Sequence, residues 1–190
     1  MASKVGICNS ALIKLGASTI MSLTDGSKNA NLCNEQYARL RDDLLRSHPW
    51  NFAMKRAKLA QLATAPAFQF AYAYQLPADW LRTVSVHDND AGAGSARYRI
   101  EGRTILADVS EIYLRYVGVV DDPNGMPISF QEAFAWRLAA DLAQAVTQST
   151  TVQEAMLQGL RPALATAKSI DAIEDFPDSQ PQSDWVTLRY

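Results

Sequence analysis

Residues 41–53 have the sequence RDDLLRSHPWNFA, and this stretch joins a helical part of the chain to a strand-rich part. Its first half continues the apolar stripe of a helix. The residue before a proline is pushed out of the helical region of backbone space, so Pro49 is predicted to stop that helix. Trp50 and Phe52 follow at once, and large aromatic side chains at such a point are expected to plug the junction between helix and sheet.

Two helices are predicted before this junction. Apolar residues at spacings of three and four predict a first helix over residues 5–15, which Gly16 ends. Ser27 is the predicted N-cap of a second helix that runs up to the proline. The inward stripe of the second helix comprises Ala30, Cys33, Tyr37, Leu40 and Leu44. The charged residues expected to point away from the core are Arg39, Arg41, Asp42, Asp43 and Arg46.

After the junction, aromatic and β-branched residues alternate in part with polar ones, and turn residues separate the runs. This pattern is typical of short antiparallel strands. The predicted strands cover residues 51–59, 68–75, 82–86, 97–100, 104–107 and 111–120.

One hairpin within this zone has a predicted register. A two-residue turn at residues 101–102 (Glu-Gly) would pair Ile100 with Arg103 and Tyr98 with Ile105. Side chains alternate between the two faces of a strand, so Tyr98, Ile100 and Ile105 are expected to share one face. The other face is then expected to carry Arg97, Arg99 and Thr104.

The pattern becomes helical again after residue 125. Ser129 and Glu132 have the spacing of a capping box, which predicts that a helix begins there. A last helix is predicted over residues 152–173, with a kink at Pro162. The short link at residues 148–151 makes these two helices antiparallel neighbours.

The sequence therefore predicts an α+β fold with a helical bundle drawn from both ends of the chain. Residues 1–49 and 121–175 form the bundle, residues 50–120 form an inserted antiparallel β module, and residues 176–190 form an extended C-terminal tail. The tail is rich in Pro, Asp, Ser and Gln and contains too few apolar residues for a core of its own.

Composition narrows the class of protein. Of the 190 residues, 48% are hydrophobic and 20% are charged, as in ordinary globular domains. A formal charge of −2 argues against a protein that wraps DNA. No apolar stretch approaches ~20 residues and no signal-peptide pattern is present, so neither a membrane span nor export is expected. Cys8 and Cys33 are expected to be buried free thiols of a protein made in a reducing cytosol.

Candidate catalytic and metal-binding groups are sparse. His48 is expected to cap helix carbonyls or to interact with the negative end of its helix. His87 lies beside Asp88 and Asp90, but carboxylates in loops are mostly solvated, so no metal site is expected there.

Sequence motifs for catalysis are equally sparse. No CxxC or HExxH spacing occurs, and the glycine-rich residues 92–95 lack the lysine of a phosphate-binding loop. Asp42 and Asp43 cannot converge on one point, because adjacent helical residues diverge by ~100°. We therefore expect a protein that is not an enzyme and that needs no cofactor or metal.

Two clusters of basic residues allow two interpretations. They comprise Lys55, Arg56 and Lys58 on the first strand, and Arg97, Arg99 and Arg103 on the hairpin. Each cluster either contacts phosphates or forms a solvated or subunit-contact face, and the acidic net charge favours the second. The hairpin arginines define an alternative function, that of a non-specific DNA-binding module.

Residues 41–53, with His48, Pro49, Trp50 and Phe52, resemble the hallmark of the phage tail tubular protein A family. Members of that family are the head-to-tail adaptors of short-tailed phages. Five further segments resemble the family in the same order, namely residues 7–16, 20–26, 74–80, 98–102 and 135–140. Together they extend the resemblance from Val5 to Ile173, nearly the whole chain.

The resemblance implies a structural subunit of a homo-oligomeric ring, usually twelvefold, below the portal protein of a virion assembled in the host cytoplasm. It implies that the ring extends the channel for double-stranded DNA. It also implies a docking platform for the tail nozzle, tubular protein B, and for tail fibres or spikes. Arg97, Arg99 and Arg103 are then candidate contacts to DNA in the channel. Trp185 and Tyr190 are candidate anchors on the portal or on a neighbouring subunit.

Overall fold

The computed structural model describes residues 2–92 and 94–174, and it confirms the α+β class. Four α-helices, α1 (Lys4–Lys14), α2 (Lys28–Ser47), α3 (Ile128–Thr147) and α4 (Thr150–Ile173), are present in these ranges. The strands between α2 and α3 are β1 (Met54–Lys58), β2 (Tyr72–Gln75), β3 (Trp80–His87), β4 (Tyr98–Glu101), β5 (Thr104–Ala107) and β6 (Tyr113–Gly118).

Of the four helix ends predicted from the sequence, three follow the expected local rule. The Ser27 hydroxyl accepts a hydrogen bond from the Ala30 amide at 3.2 Å, as expected of an N-cap. Gly16 adopts a φ of +66° just past α1, where a left-handed residue ends the helix. The helix α2 stops at Ser47, two residues before the proline. The prediction of a capping box at the start of α3 is wrong.

That helix begins at Ile128, directly after Pro127, and no side chain caps it. Ser129 is already inside its first turn. The Glu132 carboxylate instead forms an ion pair with the Lys14 ammonium of α1 at 2.7 Å. The helix therefore begins within one residue of the predicted start, but Glu132 binds a second helix instead of capping its own.

The strands form two antiparallel sheets of three strands within the described ranges. Sheet A has the order β1-β6-β3, and sheet B has the order β2-β5-β4. The predicted strand at 51–59 is shorter in the structure, because Asn51–Ala53 form a 3-10 turn before β1 begins. The predicted strand at 68–75 likewise begins only at Tyr72.

The predicted register of the β4–β5 hairpin is wrong by two residues. Ile100 pairs with Ile105, and Glu101 pairs with Thr104, so the two turn residues are Gly102 and Arg103. Gly102 has a φ of +58°, as a glycine at the first central position of a type II′ turn does. A shift of two residues keeps every side chain on its face, so the predicted faces still hold.

Two hydrophobic cores result. The bundle core surrounds Trp50, Phe130 and Phe134, and it includes the free thiols of Cys8 and Cys33, which are buried as expected. The second core lies between the sheets and contains Tyr74, Ile105, Ile112, Leu114 and Tyr116.

Sheet A contacts both cores. Leu114 and Tyr116 of β6 face sheet B, whereas Val117 lies on the opposite face of β6 and belongs to the bundle core. The bundle therefore packs against one end of the outer face of sheet A.

The helices α3 and α4 approach closely at Gly159. A Cβ atom on Gly159 would lie 2.4 Å from the Trp136 ring, and the Lys14 ammonium lies 4.5 Å from the centroid of the same ring. The indole ring therefore fills the space that a side chain at position 159 would need.

Replacing Gly159 with alanine tests this packing. Helix propensity alone would stabilise the variant by ~1 kcal/mol. Displacement of the Trp136 ring outweighs that gain, and we expect Gly159→Ala to lower the free energy of unfolding by ~1–2 kcal/mol in urea titrations. The control Gln158→Ala changes an exposed position and should stay within ~0.5 kcal/mol of the parent. A Gly159→Ala variant more stable than the parent would contradict the packing.

Candidate functional site

The segment 41–53 forms a joint between the bundle and sheet A. Trp50 is 1% exposed, and its indole nitrogen donates a hydrogen bond to the Leu44 carbonyl at 3.1 Å. The rings of Trp50 and Phe130 of α3 meet edge to face at a centroid distance of 5.0 Å. The Phe52 ring also packs on the Phe130 ring, at a centroid distance of 4.8 Å. The two aromatic residues after the proline thus attach the end of α2 to the start of α3.

A polar cluster ties the same joint to the end of α4. Asp171 is 6% exposed, and one of its carboxylate oxygens accepts a hydrogen bond from the Asn51 amide at 2.9 Å. The Asn51 side chain donates to the Asp171 carbonyl at 2.6 Å. The other carboxylate oxygen lies 3.4 Å from Nε2 of His48. We call His48, Asn51 and Asp171 the joint cluster.

His48 is the C-cap residue of α2, but its ring contacts Asp171 of α4, so the predicted bond from the ring to the carbonyls of its own helix is wrong. The alternative interaction with the negative end of α2 stays a prediction. Burial lowers the pKa of His48, and the nearby cations Lys168 and Arg82 lower it further, while Asp171 opposes them. The neutral imidazole is thus favoured by its surroundings. Asp171 was missed at the sequence level, although it continues the i, i+4 series of Ala163 and Ala167 on α4 and so breaks an apolar stripe with a carboxylate.

Arg41 is a second correction, because this side chain points inward. It is 6% exposed and donates from Nε to Asp42 at 2.8 Å and from a terminal nitrogen to Asp121, just before α3. The Lys4 ammonium of α1 binds the same Asp121 carboxylate at 2.8 Å. Helices α1 and α2 therefore both bind Asp121.

The turn that follows β2 is fixed by charge. The Asp79 carboxylate accepts hydrogen bonds from the Lys55 ammonium at 2.5 Å and from the Tyr116 hydroxyl at 3.1 Å. Burial opposes ionisation of Asp79, but its bonds to Lys55 and Tyr116 outweigh burial and hold the carboxyl pKa below its usual range. Lys55 is therefore part of the internal structure of the β module and lies on the opposite face of β1 from Arg56 and Lys58.

The three hairpin arginines are placed in three different settings. The guanidinium of Arg97 lies 5.4 Å from the centroid of the Phe70 ring. Arg99 is exposed in the middle of β4. Arg103 occupies the turn and donates hydrogen bonds to the carbonyls of Pro77 and Ala78. The hairpin thus spreads the three charges along its length, and Arg103 anchors it to the neighbouring turn.

A groove on the outer face of sheet A gathers a different set of cations. It has a volume of about 980 Å³. Its floor consists of two rows across the three strands, Arg56 with Arg115 and Ser85, and Lys58 with Tyr113 and His87. The loop at residues 89–92 forms one wall. We call this site the sheet A groove.

Two residues of the groove have fixed side chains. The Lys58 ammonium pairs with Glu111 at 2.7 Å and lies 5.3 Å from the centroid of the Tyr113 ring. His87 contacts the Gly94 carbonyl through Nδ1 at 2.7 Å and the Ser85 hydroxyl through Nε2 at 2.8 Å. The groove is therefore a preformed cationic and aromatic surface. Its members could have been found from the alternation of basic residues in β1, but their partners on β6 and β3 depend on strand order.

The described residues contain no candidate metal site. Within residues 2–92 and 94–174, no group of three or more His, Cys, Asp or Glu side chains could hold a metal ion. Both ring nitrogens of His87 already have partners, so Asp88 and Asp90 do not form a site with it. In the same ranges no helix is both long and apolar enough to cross a membrane.

Trp185 and Tyr190, the predicted docking residues of the tail, lie outside the described residues. Comparison with known proteins adds no relative, since no family model and no curated protein matches the chain. The likeness to the tail tubular protein A family therefore depends on the six sequence segments alone.

The joint cluster can be tested by removing its carboxylate. Asp171→Ala leaves the half-buried backbone amide of Asn51 without its acceptor, and we expect the free energy of unfolding to fall by ~2 kcal/mol. Asp141→Ala is the control, because Asp141 pairs with the exposed Arg39 at 3.0 Å and should contribute less than ~1 kcal/mol. Equal losses in chemical denaturation of the two variants would show that the cluster is not a structural tie.

Proposed function

We propose that this chain is a structural head-to-tail adaptor subunit of a short-tailed phage. In this role it forms a closed ring below the portal, continues the DNA channel, and carries the tail nozzle and fibres. The observation that supports the proposal most is that the segment most similar to the adaptor family, residues 41–53, builds the joint between the two cores. A subunit of this kind works through shape and contact surfaces rather than through a reaction.

A ring imposes a specific requirement on its subunit. Head-to-tail contacts that close on themselves use two different surfaces of each copy, and the angle between these surfaces sets how many copies close the ring. The joint supports such a role, because Trp50, His48 and Asn51, which lie just before β1, are tied to α3 and α4 through aromatic and hydrogen-bonded contacts. A loose joint would permit many angles and favour open assemblies.

Each core also has exposed apolar side chains that a neighbour could cover. At one end of the bundle Ile128 is 83% exposed and Ile173 is 81% exposed, and Ile170 is nearby. We call these three residues the bundle-end patch. On the β module Phe68 is 74% exposed, and Tyr98 of β4 is partly exposed. Exposed isoleucine and phenylalanine side chains on two separate parts supply the two unlike surfaces that a heterologous contact needs.

The ring itself is the first test. Negative-stain electron microscopy of the purified protein, alone and mixed with portal rings, should show ring-shaped particles, or rings added below the portal. Phage particles assembled without the protein should lose packaged DNA and lack tails. The absence of rings under both conditions, with folded protein confirmed by circular dichroism, would overturn the proposal.

The bundle-end patch gives a finer test. We expect the double variant Ile128→Asp with Ile173→Asp to have a free energy of unfolding within ~0.5 kcal/mol of the parent, because both side chains are solvated in the subunit. It should fail to form rings, since burial of two carboxylates in a contact is costly. Met21→Asp, at a 94% exposed site near the opposite end of the bundle, is the matched control. Rings of normal yield from the double variant would exclude the patch while leaving the adaptor proposal open to the first test.

A further inference from the structure

The strand β4 has one side that no other strand of the described ranges covers. It is the last strand of sheet B, and within residues 2–92 and 94–174 it pairs with β5 alone. Glu101 and Thr104 flank the two-residue turn, and a flanking pair of this kind exchanges its backbone hydrogen bonds. Bonded and non-bonded pairs alternate along the strand, so the backbone N–H and C=O groups of Tyr98 and Ile100 point away from β5. No backbone group elsewhere in the described ranges bonds to them, so this edge can accept a further strand.

The side chains of β4 form an apolar face and a charged face. Ile100 packs against the core between the two sheets, and Tyr98 on the same face is 39% exposed. Arg99 and Glu101 lie on the opposite face, where both are exposed. Neither charged side chain has a hydrogen bond or an ion pair with any residue of the described ranges. In this part of the chain the edge therefore carries a free cation and a free carboxylate, two positions apart.

This charge pattern is complementary to a second copy of the same strand that runs in the opposite direction. When Ile100 lies opposite Ile100 of the second copy, Arg99 lies opposite Glu101 on both sides of the two-fold axis. These pairs are of the non-hydrogen-bonded kind, whose Cα atoms are about 4.5 Å apart, so the charged side chains can meet. Paired residues must lie on the same face of a sheet, so the neighbouring registers place Arg99 opposite Arg99 or Glu101 opposite Glu101. Like charges directly opposite are destabilising, and the edge therefore specifies one register.

We propose that two copies of this chain pair through the edge of β4, with Ile100 at the two-fold axis. The two B sheets then form one continuous antiparallel sheet, and Arg99–Glu101 ion pairs flank the axis. The charges of the edge cancel, which favours a second copy over a nucleic acid. A closed ring uses head-to-tail contacts, so the two-fold dimer is a form of the free subunit, and the inference does not depend on the adaptor function.

Sedimentation velocity of the full chain over a range of concentrations measures the pairing. A four-residue edge makes a small contact, so we expect a monomer–dimer equilibrium with a Kd of the order of 10–100 µM. Arg99→Glu and Glu101→Arg each place like charges at both pairs and should raise the Kd about tenfold or more. The control Arg161→Glu reverses an exposed cation on α4 and should leave the Kd unchanged. A parent chain that is monomeric at ~1 mM, or a dimer that neither edge variant weakens, would overturn the proposal.

A mixture of the two edge variants tests the register. Arg99→Glu in one chain and Glu101→Arg in the other restore opposite charges at both pairs, so an equimolar mixture should dimerise like the parent although each variant alone does not. The double variant Arg99→Glu with Glu101→Arg exchanges the charges within one chain and should dimerise by itself. Circular dichroism melting curves equal to that of the parent should show that every variant is folded. A mixture that remains monomeric would reject the pairing of Arg99 with Glu101 and with it the proposed contact.

Discussion

Pro49 imposes the constraint on which the rest of the structure depends. Because α2 cannot continue through a proline, the chain leaves the helix with its next aromatic residue, Trp50, turned into the bundle. A side chain of this size buries a large apolar surface and accepts few alternative positions. Phe130 in the first turn of α3 packs against it, and β1 begins four residues after it. Helix and sheet are therefore oriented by one buried ring.

Polar contacts also help to fix the arrangement of the helices. The carboxylates of Asp121 and Asp171 each bind groups from distant parts of the chain, and each is matched by partners of opposite polarity. The buried Asp171 carboxylate is costly without its partners, and the buried Arg41 guanidinium likewise needs the exposed Asp121 carboxylate, so both contacts penalise alternative arrangements of the helices. The bundle thus derives stability from its apolar core and a single arrangement from these two acids.

Much of this fold could be predicted from spacing alone, since helices, most strands and both cores follow from apolar periodicity and turn residues. Three of the failures share a physical cause. The capping-box spacing at Ser129, the outward assignment of Arg41 and the capping role of His48 were all judged within one element. In the structure each is decided by a partner more than 75 positions away, which local rules cannot supply. The hairpin register failed for a local reason, the positive φ of Gly102.

The helix α4 has a consequence for the dynamics of the subunit. It is 24 residues long, yet Ala167 and Asp171 are its two buried side chains, and it is tied at one end by the link after α3 and at the other by Asn51. Elements with little burial open at lower free energy than the core around them. The amide hydrogens of α4 should therefore exchange with solvent before those of α2 and α3. Opening of α4 would uncover the part of the bundle core that Ala167, Met156 and Leu164 cover, whereas the core between the sheets would keep all of its contacts.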